Sequence, residues 1–183
     1  MTVHADARAV LGRWPAPTPA QNALRAAFAD FLDTHPDGAD RSCRVAHVTA
    51  SALLVDPASR SVLLTLHGVV GRWLQLGGHC EPADATLAAA ALRETLEESG
   101  LPADAVTIDA EPVHLDRHHV RCRFEGVVSE LEHLDVQYLA TASAAAAQGP
   151  TPDRTAWFAW DAPPPGLDAA VVALIDAARS RWS

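Results

Sequence analysis

The chain predicts an α/β fold, with a mixed sheet held between helices. Segments of strand-like alternation or short apolar runs take turns with segments of helical period. Proline- and glycine-bearing clusters fall at several of the joints between them. Apolar residues make up 49% of the 183-residue chain and charged residues 20%, which is enough to build the core of one domain.

Residues 1–17 contain Pro15 and Pro17 and little periodicity, and read as an irregular lead-in. Thr18 to Asp33 predicts a helix: Thr18 caps, Pro19 takes the first position, and Leu24, Ala27, Phe28 and Phe31 repeat on one face. His35-Pro-Asp-Gly38 stops it. Cys43 to Val55 predicts a strand, Asp56 to Arg60 a turn, and Ser61 to His67 the hairpin partner. Gly71 to Leu76 leads into Gly77-Gly78. After a central helix, strands are expected over Val106–Leu115 and Leu134–Ala142, with strand plus loop across His118–His133. Ala140 to Gly149 is alanine-rich loop or short helix, Ala156 to Trp160 a short buried strand, and Leu167 to Trp182 a closing amphipathic helix. Residues 1–42 therefore form an extension with one helix, and 43–183 the main domain.

The net charge of −9 argues against nonspecific nucleic-acid or anionic-membrane partners. Phosphates remain accessible ligands, because a bound cation reverses the local sign. All basic residues are arginine, which excludes a lysine nucleophile or Schiff base. Cys43, Cys80 and Cys122 are scattered without CxxC spacing, as expected of reduced thiols. No apolar signal core opens the chain and no run approaches a membrane span, so a cytoplasmic protein is expected.

The central helix carries the chemistry. Thr86 is its expected N-cap and Gly100 its left-handed terminator, with Leu101 placed to touch Leu96 in a Schellman arrangement. Glu94, Glu97 and Glu98 converge at i, i+3 and i+4, where like charges repel by roughly 0.2–0.5 kcal/mol per solvated pair. They also crowd the negative end of the helix dipole. Leu92, Leu96, Ala88 and Ala89 lie opposite and predict the docking face, while Ala90 and Ala91 flank the acidic side and leave room for a loop or ligand. The acidic face asks for a partner, most simply a divalent cation.

Other polar residues are less decisive. His114, Asp116 and His118 share one strand face and His119 points away, a pattern closer to a substrate-facing strand than to four-ligand zinc. His79 and Glu81 suit either ligand contact or a turn. Trp73, Trp157 and Trp160 suit packing, with base stacking open to Trp73. Cys80 has no evident activating base.

Residues Gly78 to Leu101 resemble the Nudix box, whose usual form is Gly-x5-Glu-x7-Arg-Glu-U-x-Glu-Glu-x-Gly-U with U aliphatic. Arg93-Glu94-Thr95-Leu96-Glu97-Glu98-Ser99-Gly100-Leu101 matches its second half, with Thr95 in an aliphatic position. The first half carries one extra residue, so its glutamate falls at Asp84 or Ala85. The likeness spans residues 43–182 and implies a Nudix-like α/β/α sandwich with a mixed central sheet.

It further implies a pyrophosphohydrolase acting with Mg²⁺ or Mn²⁺ on a small-molecule phosphoanhydride, such as a nucleoside diphosphate linked to another moiety. Carried over by position, Glu94, Glu97 and Glu98 hold cations, with the carbonyl of Gly78 (or Gly77) as backbone ligand. Arg93 pairs with Glu97 and holds its rotamer. Glu97, Glu98, Glu130, Glu132 and Asp135 are the candidates for general base. Two other readings stay open: a non-catalytic nucleotide-binding module, and a prenyl-diphosphate isomerase for which Cys80 is a weak acid–base candidate. The added helix suits a site cover, a homodimer interface or an extra core element.

Overall fold

The computed structural model describes residues 2–68, 70–124 and 127–182. Helices α1 (Val3–Arg13) and α2 (Pro19–Thr34) open the chain. Strands β1 (Ala46–Asp56), β2 (Ser61–Leu66), β3 (Trp73–Leu74) and β4 (Leu76–His79) then lead to helix α3 (Leu87–Ser99). Strands β5 (Val106–Ile108), β6 (His114–Phe124) and β7 (Val127–Ala142) follow. The short α4 (Ala144–Ala147), β8 (Thr155–Ala159) and α5 (Ala169–Trp182) complete the order.

All eight strands join one sheet. Strand β1 runs parallel to β7, and the other pairings are antiparallel. Every residue of β1 is buried, because both faces of this strand are covered. Ala50, Ala52 and Leu54 pack with Leu87, Ala90 and Ala91 of α3 in one core. Leu53 and Val55 point the other way, into a second core with Val171, Leu174, Ile175 and Ala178 of α5. The alternation thus produces the three-layer sandwich with its mixed central sheet.

The N-terminus departs from expectation. Residues 3–13 form α1 rather than an irregular lead-in; Thr2 caps it, and Ala7, Val10 and Leu11 are buried. The prolines at 15 and 17 lie beyond its end, so they punctuate rather than prevent it. A distant contact fixes the helix: buried Asp6 accepts the N–H of Leu87 at 2.8 Å, at the first turn of α3. That position favours a carboxylate because the first helical N–H groups lack internal partners. Phe28 and Leu32 of α2 enter the same core as Ala7, Leu11 and Trp14, so both helices pack as added core elements.

Two strands also differ. The stretch expected as one strand over Val106–Leu115 is divided into β5 and the start of β6, both against β7. Pro112 cannot donate to a ladder, and the chain bulges there while Asp109 and Val113 still donate N–H groups to β7. Strand β8 is half-buried over its first four residues and exposed at Ala159, with fully buried Trp160 just past its end.

Candidate functional site

Helix α3 forms as its caps predict. The Thr86 hydroxyl accepts from Ala89 at 3.0 Å, and Gly100 ends the helix at φ 68° with its N–H on the Leu96 carbonyl. Leu101 donates instead to the Ser99 hydroxyl, 3.2 Å away, so the terminus is the simpler αL motif rather than a Schellman cap. The docking face is rotated from expectation. Leu87, Ala90, Ala91, Thr95 and Ser99 are buried, whereas Ala88, Leu92 and Leu96 are only partly so. Ala90 and Ala91 therefore admit the sheet, not a ligand. Thr95, polar where the box is aliphatic, is fully buried and returns its hydroxyl to the Ala91 carbonyl at 2.7 Å.

Arg93 organises the face. Its Nε and Nη2 reach the two oxygens of buried Asp84 at 3.2 and 3.0 Å, and Nη2 also reaches the His79 carbonyl at 2.8 Å. Nη1 donates to Glu94 at 2.9 Å and to Glu97 only at 3.4 Å. The expected Arg93–Glu97 pair exists but is the weaker one; Glu97 is 58% exposed, Asp84 6%. Bonding to Asp84, then to Glu94, raises the guanidinium's pKa further. Of the two positions open to the box's first glutamate, Asp84 makes this contact, while Ala85 is exposed. Asp84 also accepts the Glu81 N–H at 2.7 Å, closing the loop ahead of α3.

The remaining carboxylates face β4. Glu98 accepts the Gly77 N–H at 3.2 Å, and burial pushes its carboxyl up to about 7, with Glu94 and Glu97 adding to the rise. Burial likewise raises Glu94, against the pull of Arg93. The two glycines lie within β4. A Cβ on Gly77 would stand 2.2 Å from the Ser51 Cβ, and one on Gly78 would stand 2.8 Å from the Glu94 carboxylate. Gly78 thus keeps clear a cradle of carboxylate and backbone oxygens, the donor type Mg²⁺ and Mn²⁺ take. Such an ion fits the residues present: Arg93 brings one positive charge to Glu81, Asp84, Glu94 and Glu97 and none directly to Glu98.

The other sequence candidates fall elsewhere. Glu130 pairs with Arg121, and Glu132 with Arg117 and His119. Asp135 is buried, its oxygens taken by Thr49, Ser51, Gln75 and Gln137. Trp73 meets Phe158 edge-on at 4.9 Å, a packing contact. Cys43 and Cys80 are free and buried; burial pushes the Cys80 thiol up to about 12, unsuited to acid–base work. The side chain of Cys122 lies outside the described residues.

Sequence reasoning missed a second cluster, on the sheet face opposite α3. His47, His79 and His133 bring ring nitrogens within 4.8 Å of one another. Of the strand-face residues, His118 joins its edge, 5.5 Å from the His133 ring and bonded to Asp116 at 2.7 Å. His114 turns to Gln21 and Gln137 instead. Burial lowers His79 to about 4 and His133 to about 3.

This geometry agrees with relationships to known proteins. The family profile of the NUDIX domain matches residues 45–173, and the chain belongs to that family. It is a Nudix-type pyrophosphohydrolase, an enzyme acting on acid anhydrides. A NUDIX-family hydrolase from Clostridium perfringens superposes with a TM-score of 0.51 at 23% identity, over 73% of this chain and 97% of that one. A MutT NUDIX hydrolase from Burkholderia pseudomallei gives 0.46 at 20%, over 72% and 96%. The C. elegans Ap4A hydrolase gives 0.42 at 17%, over 74% and 91%. The first of these likenesses supports the fold. No curated protein matches significantly. No helix among the described residues is long and apolar enough to cross a membrane.

Proposed function

We propose that the chain hydrolyses a phosphoanhydride bond in a nucleoside-diphosphate-linked or similar small molecule, dependent on Mg²⁺ or Mn²⁺. Glu94, Glu97, Glu98 and the Gly78 carbonyl hold the cation. When bound, it neutralises the pyrophosphate and makes a coordinated water more acidic. The observation carrying this reading is Glu98: a half-buried carboxyl beside a backbone cradle, unpaired with Arg93, and raised to about 7 by burial.

The protein's own groups divide the work. Glu98, which accepts only the Gly77 N–H and is not tied to Arg93, takes the proton from the attacking water. Water attacks phosphorus directly, and no covalent enzyme intermediate is required. Arg93 acts by position: clamped on Asp84, it ties α3 to the His79 carbonyl in β4 and holds Glu94 against Gly78. Glu130, Glu132 and Asp135 are set aside as bases because each is engaged by other partners. We assign residues 43–183 to the catalytic domain and residues 1–42 to an added layer.

The test is turnover with Mg²⁺ across dinucleotides, nucleotide sugars and (deoxy)nucleoside triphosphates. Glu97→Gln and Glu98→Gln each lower the rate on the best substrate by orders of magnitude. Unchanged turnover in both variants refutes the site. Tight ligand binding without product, even in excess Mn²⁺, makes the chain a binding module instead.

A further inference from the structure

The sheet face opposite α3 carries a side-chain cluster that phosphoanhydride chemistry does not use. Its members come from three strands, and the register places them together. His47 of β1 lies directly opposite His133 of β7, and His79 of β4 lies opposite Thr49, two residues along from His47 and on the same face. The three rings sit 4.8–5.0 Å apart, centroid to centroid, with His133 meeting His79 edge-on. One ring nitrogen from each histidine falls within 4.8 Å of one from each of the others.

Packing alone is a poor account of this arrangement. His47 is fully buried, and its Nδ1 lies 3.2 Å from the Cys43 carbonyl. That contact makes Nδ1 the protonated nitrogen and leaves Nε2 unprotonated. This Nε2 is buried without a hydrogen-bond partner, and so is His79 Nε2. Buried polar atoms in folded proteins are paired as a rule, and here two without partners fall in one cluster. An imidazole fixed by a carbonyl on one nitrogen, with a free lone pair on the other, is the usual state of a histidine ligand to a metal.

We propose that His47, His79 and His133 form a binding site for a borderline transition-metal cation of the Zn²⁺ or Co²⁺ type, separate from the carboxylate site on α3. Three neutral imidazoles suit such ions and not Mg²⁺, which prefers oxygen. Metal–nitrogen bonds of about 2.0–2.1 Å need the three nitrogens somewhat closer than they stand. Three ligands leave one tetrahedral position for an exchangeable water or anion. His79 and His133 are only partly buried, and the Asp116–His118 pair lies beside them. The site also touches the catalytic face through one residue. The His79 imidazole belongs to the cluster, while its carbonyl receives Arg93 at 2.8 Å.

Co²⁺ is the probe, because its visible spectrum reports coordination directly. Metal-stripped full-length protein, kept in excess Mg²⁺, is titrated with Co²⁺ and then challenged with Zn²⁺. One equivalent of Co²⁺ should bind with intense tetrahedral absorption and be displaced by Zn²⁺. His79→Gln and His133→Gln should abolish that absorption, while Glu98→Gln retains it. Imidazole ¹⁵N spectra of the unmodified protein give a reading that no variant's folding can obscure. Zn²⁺ should shift the resonances of these three histidines together. No stoichiometric binding, absorption that survives in the histidine variants, absorption lost with Glu98→Gln, or unmoved imidazole resonances would each overturn the proposal.

Discussion

Two polar clusters lie against opposite faces of the same sheet, and they differ in how the chain assembles them. The carboxylates of α3 are local: Glu94, Glu97 and Glu98 come together by helical spacing alone. The imidazoles are not local; His47, His79 and His133 are brought together only by the pairing of β1 with β4 and with β7. Burial acts on both, and in each it disfavours charge. It raises Glu98 and lowers His79 and His133. The acidic cluster keeps an incomplete charge balance, with Arg93 spread over several carboxylates. In the histidine cluster, Nε2 of His47 and of His79 is buried without a hydrogen-bond partner. One asks for a hard cation and the other for a softer one.

Changes to the acidic side should separate the two clusters most sharply. Glu98→Gln is expected to lower kcat by about 10²–10⁴-fold, the range of general acid–base catalysis, with the histidine cluster intact. Steady-state kinetics on the best substrate measures it. A loss below tenfold would move the base elsewhere.

Asp84→Ala comes next. It removes the carboxylate that grips Arg93 through two oxygens and should destabilise the fold by about 1–3 kcal/mol, the range for losing a partner of a buried polar group. Urea unfolding reports it. No change in midpoint would mean that the Arg93 web does not join α3 to β4. The smallest effect is expected at Cys80. Its thiol, raised to about 12 by burial, should resist alkylation at neutral pH in the native protein and react only after unfolding. Cys80→Ser should leave turnover unchanged, and a large loss would revive the isomerase reading.

The local cluster was therefore legible in sequence and the non-local one was not. Thr86, Gly100 and the three glutamates follow from spacing and capping rules. Asp84 was one of two candidates, and only the folded loop shows which side chain meets Arg93. The docking face of α3 was misplaced because Thr95 and Ser99 look polar in sequence. Thr95 satisfies its hydroxyl within its own helix and Ser99 receives the Leu101 N–H, so both can be buried. The helix α1 was missed because part of its anchorage, Asp6 on the Leu87 N–H, joins residues 81 positions apart. Strand alternation puts His114, Asp116 and His118 on one face, yet of the β6 histidines only His118 reaches the cluster, because His114 bonds to Gln21 and Gln137.

Mn²⁺ titration of the metal-stripped protein by calorimetry, run at pH 6 and pH 8 in buffers of different ionisation enthalpy, tests the central claim most directly. The Glu98 carboxyl, raised to about 7, is mostly protonated at pH 6 and mostly ionised at pH 8. Mn²⁺ should therefore bind more weakly at pH 6, displacing close to one proton, and more tightly at pH 8 with little release. Glu98→Gln should remove both the proton release and most of the affinity. Equal affinity at the two pH values with no proton displaced, or full affinity in Glu98→Gln, would contradict a cation held at this carboxylate.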